Sequence, residues 1–113
     1  MLPAAHRMRR SGDFATAIRS GARAGGRRLV VHMATTDEAE PTRIGLVVSK
    51  QVGNSVVRHR VARQLRAIVA ERISEWPAGR LMVIRALPAA HGSPSNTLST
   101  DFDHALDRLG EKR

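Results

Sequence analysis

The chain contains no cysteine and no tyrosine, and its only aromatic residues are Phe14, Trp76 and Phe102. Without cysteine there is no disulfide framework and no thiolate-ligated metal. The lack of disulfides fits a reducing compartment. So few aromatics argue against modules that stack successive bases on several rings. No apolar run approaches the length of a membrane span. The N-terminus, MLPAAHRMRR, lacks the apolar core and cleavage site of a signal peptide. A cytoplasmic location with no membrane partner is the expectation. Lysine is also scarce: of 19 basic residues only Lys50 and Lys112 are lysine, leaving 17 arginines. Acidic residues number 10, so the net charge is +9 and the pI about 11.7. That balance favours a polyanionic partner, and arginine suits phosphate because it binds it bidentately. High-GC coding would also enrich arginine, so the position of the arginines matters more than their number.

Hydrophobic residues make up 42% of the 113. That is a folded chain with a modest core, not a disordered polycation. We expect one domain over residues 1–113, with a flexible basic arm at 1–10 and a frayed tail at 109–113. Ser11 reads as an N-cap, Phe14, Ala17 and Ile18 have helical spacing, and Gly21 supplies a stop, which predicts a helix over 12–20. Leu29 to Met33 and Ile44 to Val48 read as strands, joined by an acidic turn at 36–41 into an antiparallel hairpin. Asn54 or Ser55 caps a long helix running to about Glu75, with Val57, Val61, Leu65 and Ile68 on its core stripe. Arg72 and Ile73 fit that stripe badly. Leu81 to Ile84 reads as a strand buried on both faces. Ser95 or Thr97 caps a last helix built on Leu98, Phe102, Ala105, Leu106 and Leu109. The order α-β-β-α-β-α predicts an α+β sandwich, one helix layer on a mixed sheet.

The segment SKQVGNSVVRHRVARQLR, residues 49–66, is the densest in function. At about 100° per residue, His59, Arg60, Arg63 and Arg66 fall within an arc of roughly 120° opposite the core stripe. Arg58 lies nearer the apolar edge. No acidic residue follows on this helix until Glu71, so intrahelical pairing neutralises little of the charge. Such a face repels itself unless a polyanion screens it. Gly53, Asn54 and Ser55 can turn backbone N–H groups towards an anion beside Lys50. Further basic residues flank the first helix: His6, Arg7, Arg9 and Arg10 before it, then Arg23, Arg27 and Arg28. Phe14 and Phe102 have core spacing, and His32, alone on a strand, reads as solvent-facing. Asp103 and Asp107 are i, i+4 neighbours that read as an exposed face rather than a metal site.

The run Gly45 to Lys50, then Val52-Gly53-Asn54, Val57-Arg58-His59-Arg60 and Arg63, resembles the protein subunit of bacterial ribonuclease P. The resemblance rests on a strand ending in S-K, then a G-N-A-V turn and an R-N-R box. SGDFATAIRSG, residues 11–21, resembles that family's first helix, and the match extends over about residues 7–108. It implies an α-β sandwich with a left-handed βαβ crossover and often a short extra strand before Leu29. It implies a non-catalytic subunit of a ribonucleoprotein endonuclease, a hydrolase of tRNA processing that removes the 5′ leader of precursor tRNA. Catalysis and the catalytic Mg²⁺ belong to the RNA. Lys50, Gly53, Asn54, Arg58, His59, Arg60, Arg63 and Arg66 would face the catalytic RNA. Phe14, Arg10, Arg28 and His32 would bind the leader. The chain departs from the pattern at His59 for asparagine, Ser55 for alanine, Gln51 and Ala62 for basic residues, and Ile18 and His32 for aromatics. The runner-up is a helix-turn-helix DNA-binding module, with Gly53-Asn54 as its turn. A nuclease acting alone through Asp103 and Asp107, and a membrane-surface helix, stand behind it. No feature of the sequence assigns an oligomeric state.

Overall fold

The computed structural model describes residues 4–8, 11–36, 41–76 and 78–110. The elements are α1 (Ser11–Ser20), β1 (Ala22–Gly25), β2 (Leu29–Thr35), β3 (Arg43–Val47), α2 (Ser55–Ala70), β4 (Arg80–Ala86) and α3 (Ser95–Arg108). Short 3₁₀ turns occupy Ala4–His6, Ile73–Glu75 and Pro88–Ala90. The capping role expected of Ser11 and the acidic turn at 37–40 lie outside the described side chains and residues. The strand order is β1-β2-β4-β3.

The apolar character of β4 organises this order. Leu81, Met82, Val83 and Ile84 are each no more than 3% exposed. A strand that alternates its side chains between two faces can bury all four only at the centre of a covered sheet. β4 accordingly pairs antiparallel with β2 on one side and parallel with β3 on the other. The expected β2–β3 hairpin therefore does not form. Periodicity identified both strands but carried no information on which neighbours they take. β1 is the short extra strand before Leu29, and it pairs antiparallel with β2. Its residues, Ala-Arg-Ala-Gly, have weak strand propensity and gave no signal of their own.

Helices cover both faces of the sheet, not one as expected. α2 and α3 bury Leu29, Val31, Met33, Ile44, Met82 and Ile84 on one face, with Val61, Leu65, Ile68, Leu98 and Phe102 in the same cluster. α1 covers part of the other, where Ala17 packs with Ala34, Leu81 and Val83, and Phe14 and Met8 flank them. Gly21 ends α1 through close packing: a β-carbon there would lie 2.2 Å from the Met33 carbonyl oxygen. Of the segment read as a basic arm, residues 7 and 8 lie along β3. Arg7 bridges Ile44 in parallel, and the Met8 N–H donates to the Ile44 carbonyl at 2.9 Å.

α2 ends at Ala70, five residues before the expected end. Arg72 explains both that and its poor fit to the helix pattern. It is 8% exposed, and its guanidinium donates to both carboxylate oxygens of Asp103, at 2.9 and 3.1 Å, and to the Ile68 carbonyl at 2.8 Å. It also lies 6.0 Å from the centre of the Phe102 ring. This clamp ties the end of α2 to α3. α3 begins after Pro94 with no side-chain cap, contrary to the cap expected of Ser95 or Thr97. The Ser95 hydroxyl instead accepts from Gln64 of α2 at 3.1 Å.

Arg72→Ala is expected to cost about 2 kcal/mol or more, the scale of charge-assisted hydrogen bonds left unmade in a buried site. Asp107→Ala, on the exposed side of α3, is expected to cost less than about 0.5 kcal/mol. Urea denaturation of both variants checks the contrast, and equal midpoints would contradict the clamp.

Candidate nucleic-acid interface

α2 starts where Asn54 can cap it. The Asn54 side-chain oxygen accepts from the Val57 N–H at 3.0 Å, satisfying one free donor of the first turn. Gly53 precedes the cap because space demands it: a β-carbon there would lie 2.8 Å from the Val57 side chain. Val61, Leu65, Ile68 and Val69 turn to the core. His59, Arg60, Arg63 and Arg66 are left exposed, Arg58 half-buried, and Lys50 exposed in the preceding turn.

The arginines of the chain fall into two kinds. Arg28, Arg43 and Arg72 are held by Asp101, Asp13 and Asp103. Arg58, Arg60, Arg63 and Arg66 form no ion pair or hydrogen bond with any described residue. The Arg58 Nε is moreover shielded from water without a partner. An unpaired buried donor is costly, and an incoming acceptor would remove the cost.

This basic face borders a cleft of about 580 Å³ along the β3 edge, where Phe14 and Gly45 face Arg63 and Arg66. A smaller hollow of about 240 Å³ continues it past Leu46 to Arg58, His59 and Ser55. Phe14 owes its position to Gly45. A β-carbon on residue 45 would sit 2.5 Å from the ring atoms Cε1 and Cζ, so glycine alone lets the ring lie against the strand. Phe14 is half-buried, serving the core on one side and the cleft on the other. The fold thus brings Phe14 to the same cleft as Arg63 and Arg66, which the resemblance had assigned to two different ligands.

His32 is not solvent-facing. It lies on the α1 face of β2, 3% exposed, and neither ring nitrogen has a partner among the described residues. Burial lowers its pKa below the ordinary imidazole value, and the charges of Arg85 and Arg23 lower it further. Arg23 is its cross-strand partner on β1 and Val83 its partner on β4. Val83 is in turn opposite Gly45, so His32 and the strand residue beneath Phe14 share one row across the sheet.

Arg28 does not join them. Its guanidinium is 3.2 Å from Asp101 of α3, on the opposite face. Arg10 lies outside the described residues. Alternation along β4 puts Arg85 on the face of Leu81 and Val83, and the β2–β4 register brings its charge near His32. Among the described residues no three His, Asp or Glu side chains gather as a metal site, and Asp103 is engaged by Arg72.

The depressed pKa of His32 has a definite sign in stability. The unfolded chain binds the proton more readily than the folded one, so stability is full above about pH 6.5 and declines as the pH falls below it. Thermal unfolding of His32→Gln between pH 7.5 and 5 is expected to show a shallower loss than the native chain. Parallel curves would contradict this assignment.

The geometry agrees with known proteins. The family model described as Ribonuclease P matches residues 2–110. The ribonuclease P protein component of Beutenbergia cavernae is 54% identical over 110 residues, covering 97% of this chain and 92% of its own length. That of Streptomyces bikiniensis is 50% identical over 117 residues, covering 96% and 95%. Among solved structures, an RNase P protein mutant of Staphylococcus aureus with defective mRNA degradation activity matches with a TM-score of 0.87 at 25% identity, over 96% of this chain and 91% of that one. With its parallel β3–α2–β4 unit, its S-K, G-N and basic-box residues in place and matches along nearly its whole length, this chain belongs to the ribonuclease P protein component family.

Proposed function

We propose that this chain binds the catalytic RNA of ribonuclease P through the outward face of α2 and holds the 5′ leader of precursor tRNA in the cleft at Phe14. The observation that carries the reading is the run of unpaired arginines, Arg58, Arg60, Arg63 and Arg66, beside that cleft. The cation density is offered to a ligand and is not used within the fold. His59, in the middle of the basic box, donates to phosphate, more strongly when protonated. Lys50, Gly53 and Asn54 lead the RNA to the start of α2.

The chemistry in this reading is hydrolysis of one phosphodiester, with the catalytic Mg²⁺ held by the RNA. The protein lowers the repulsion between two polyanions, catalytic RNA and substrate, and so reduces the Mg²⁺ required. The cytoplasm is where such processing takes place. The helix-turn-helix alternative is not supported, because α2 is the crossover between the parallel strands β3 and β4. For a membrane role, no helix among the described residues is long and apolar enough to cross a bilayer.

Adding the protein to its cognate RNA at limiting Mg²⁺ is expected to increase cleavage of precursor tRNA, and no gain would overturn the reading. Replacing Arg60, Arg63 and Arg66 by alanine together is expected to weaken RNA binding. It should flatten the log–log salt dependence by about one unit for each phosphate the protein no longer neutralises. A filter-binding titration across salt concentrations measures both.

A further inference from the structure

The two edges of the sheet are finished differently. Residues 7 and 8 lie along β3, through the Arg7–Ile44 bridge and the bond from the Met8 N–H to Ile44. β1 pairs only with β2, so among the described residues its outer edge has no strand beside it. The Gly26 N–H donates to the Leu29 carbonyl at 2.9 Å. Hydrogen-bonded and non-hydrogen-bonded pairs alternate along an antiparallel ladder. The next pair, Gly25 and Val30, therefore turns its backbone groups outward. In agreement, the Arg108 guanidinium of α3 donates to the Gly25 carbonyl from outside the ladder. The Gly25 N–H faces the same way.

The fold does not demand glycine at residues 25 and 26. Neither has a positive φ. A β-carbon would come no nearer than 3.5 Å to Val30 from residue 25, or 3.9 Å to Leu29 from residue 26. Glycine weakens a strand, and where packing does not require it, it marks close approach by something outside. Three arginines surround this opening: Arg23 on the edge strand, Arg27 in the turn, and Arg108 reaching over from α3. All three are exposed, and none has a carboxylate partner among the described residues. His104, also exposed, lies one helical turn before Arg108. Asp101 is taken by Arg28. Asp107 lies about 100° round α3 from Arg108, so the two do not face each other. No ring reaches this edge: Phe14 lies by β3, Phe102 is buried, and Trp76 sits with Arg80 at the far end of β4. What the edge offers is cations and an open backbone, with nothing to read a base.

We propose that the β1 edge is a second docking surface for the catalytic RNA, taking the sugar–phosphate backbone of a segment other than the one on α2. This rests on the reading that α2 binds that RNA. Phosphate oxygens accept from the Arg27 and Arg108 guanidiniums and from the Gly25 N–H, and the missing side chains at 25 and 26 let the chain of riboses and phosphates come close. β1 and β3 are three strand spacings apart, about 14 Å. α3 packs on β1 and β2 and separates that edge from α2. A partner that reaches both must fold round the domain, as a structured RNA does. A second copy of this chain is disfavoured, because two such edges bring arginines together. Precursor tRNA is disfavoured as well. A backbone contact does not register whether the leader is present, so it would hold the mature product as tightly as the substrate and slow its release. The catalytic RNA stays bound through turnover and carries no such penalty.

The test titrates the full chain against its catalytic RNA by filter binding across salt concentrations, with no precursor tRNA present. Arg27→Gln and Arg108→Gln are each expected to lower the affinity about fivefold, the scale of one exposed ion pair. Each should also flatten the log–log salt slope by about one for each phosphate no longer neutralised. Gly26→Val is expected to weaken binding while leaving the thermal midpoint of the free protein unchanged or higher, since a β-branched residue suits an extended edge and meets no close neighbour there. A role in the fold alone would move the midpoint and not the affinity. The losses should add to that of the Arg60, Arg63 and Arg66 triple variant, because separate segments are held. Losses smaller than additive put both surfaces on one segment and overturn the second site. Unchanged affinity in every β1-edge variant overturns it and leaves the α2 reading intact. Self-association of the variants in sedimentation, with RNA affinity unchanged, also overturns it and makes the arginines guards of an open edge. Full affinity for the catalytic RNA, with weakened binding of leaderless tRNA by the assembled complex, gives the edge to the substrate and overturns the partner. Native affinity in both the edge variants and the triple variant overturns the α2 reading too.

Discussion

Leu81, Met82, Val83 and Ile84 have to leave water together, and a pleated strand points them alternately to opposite sides. They therefore need a covered sheet on both faces and a neighbour on both edges. Antiparallel β2 supplies one edge. The other is β3, which reaches its place parallel to β4, and parallel neighbours require a long crossover. That crossover is α2. Once its apolar stripe is packed on Ile44, Met82 and Ile84, its basic arc has only the outside left. The position of the arginines beside the β3 edge follows from the burial of four apolar side chains in another strand.

The same packing separates arginines by task. Where α2 and α3 must be joined, Arg72 is sequestered by Asp103 and serves the fold. Asp101 and Asp13 do the same for Arg28 and Arg43. Asp13, Asp101 and Asp103 are thereby used at structural contacts, and among the described residues no carboxylate pairs with Arg58, Arg60, Arg63 or Arg66. A chain of net charge +9 thus concentrates its uncompensated charge on one helix and on the open part of the sheet. A field of that kind raises the local concentration of a polyanion and steers its approach. Phe14, held between the core and the cleft by the absence of a side chain at Gly45, adds the one ring available to a base there.

The sequence by itself determined that strands lie around Leu29–Met33, Ile44–Val48 and Leu81–Ile84, that there are three long helices, and that α2 divides into core stripe and arginine arc, though not where α2 ends. These depend on local periodicity and on short-range signals such as the cap at Asn54, which any stretch of chain carries with it. The motif around Gly53, Asn54, Arg58 and Arg60 was legible for the same reason. Only the tertiary structure decided that β4 separates β2 from β3, that α1 takes the opposite face from α2 and α3, and that Arg28 points to Asp101 and away from the proposed leader side. Those outcomes depend on pairings between distant segments, whose register no local pattern encodes. His32 shows the boundary most clearly. One histidine on a strand reads the same whether it faces water or lies buried between Arg23 and Arg85, and it is the alignment of three strands that makes the difference.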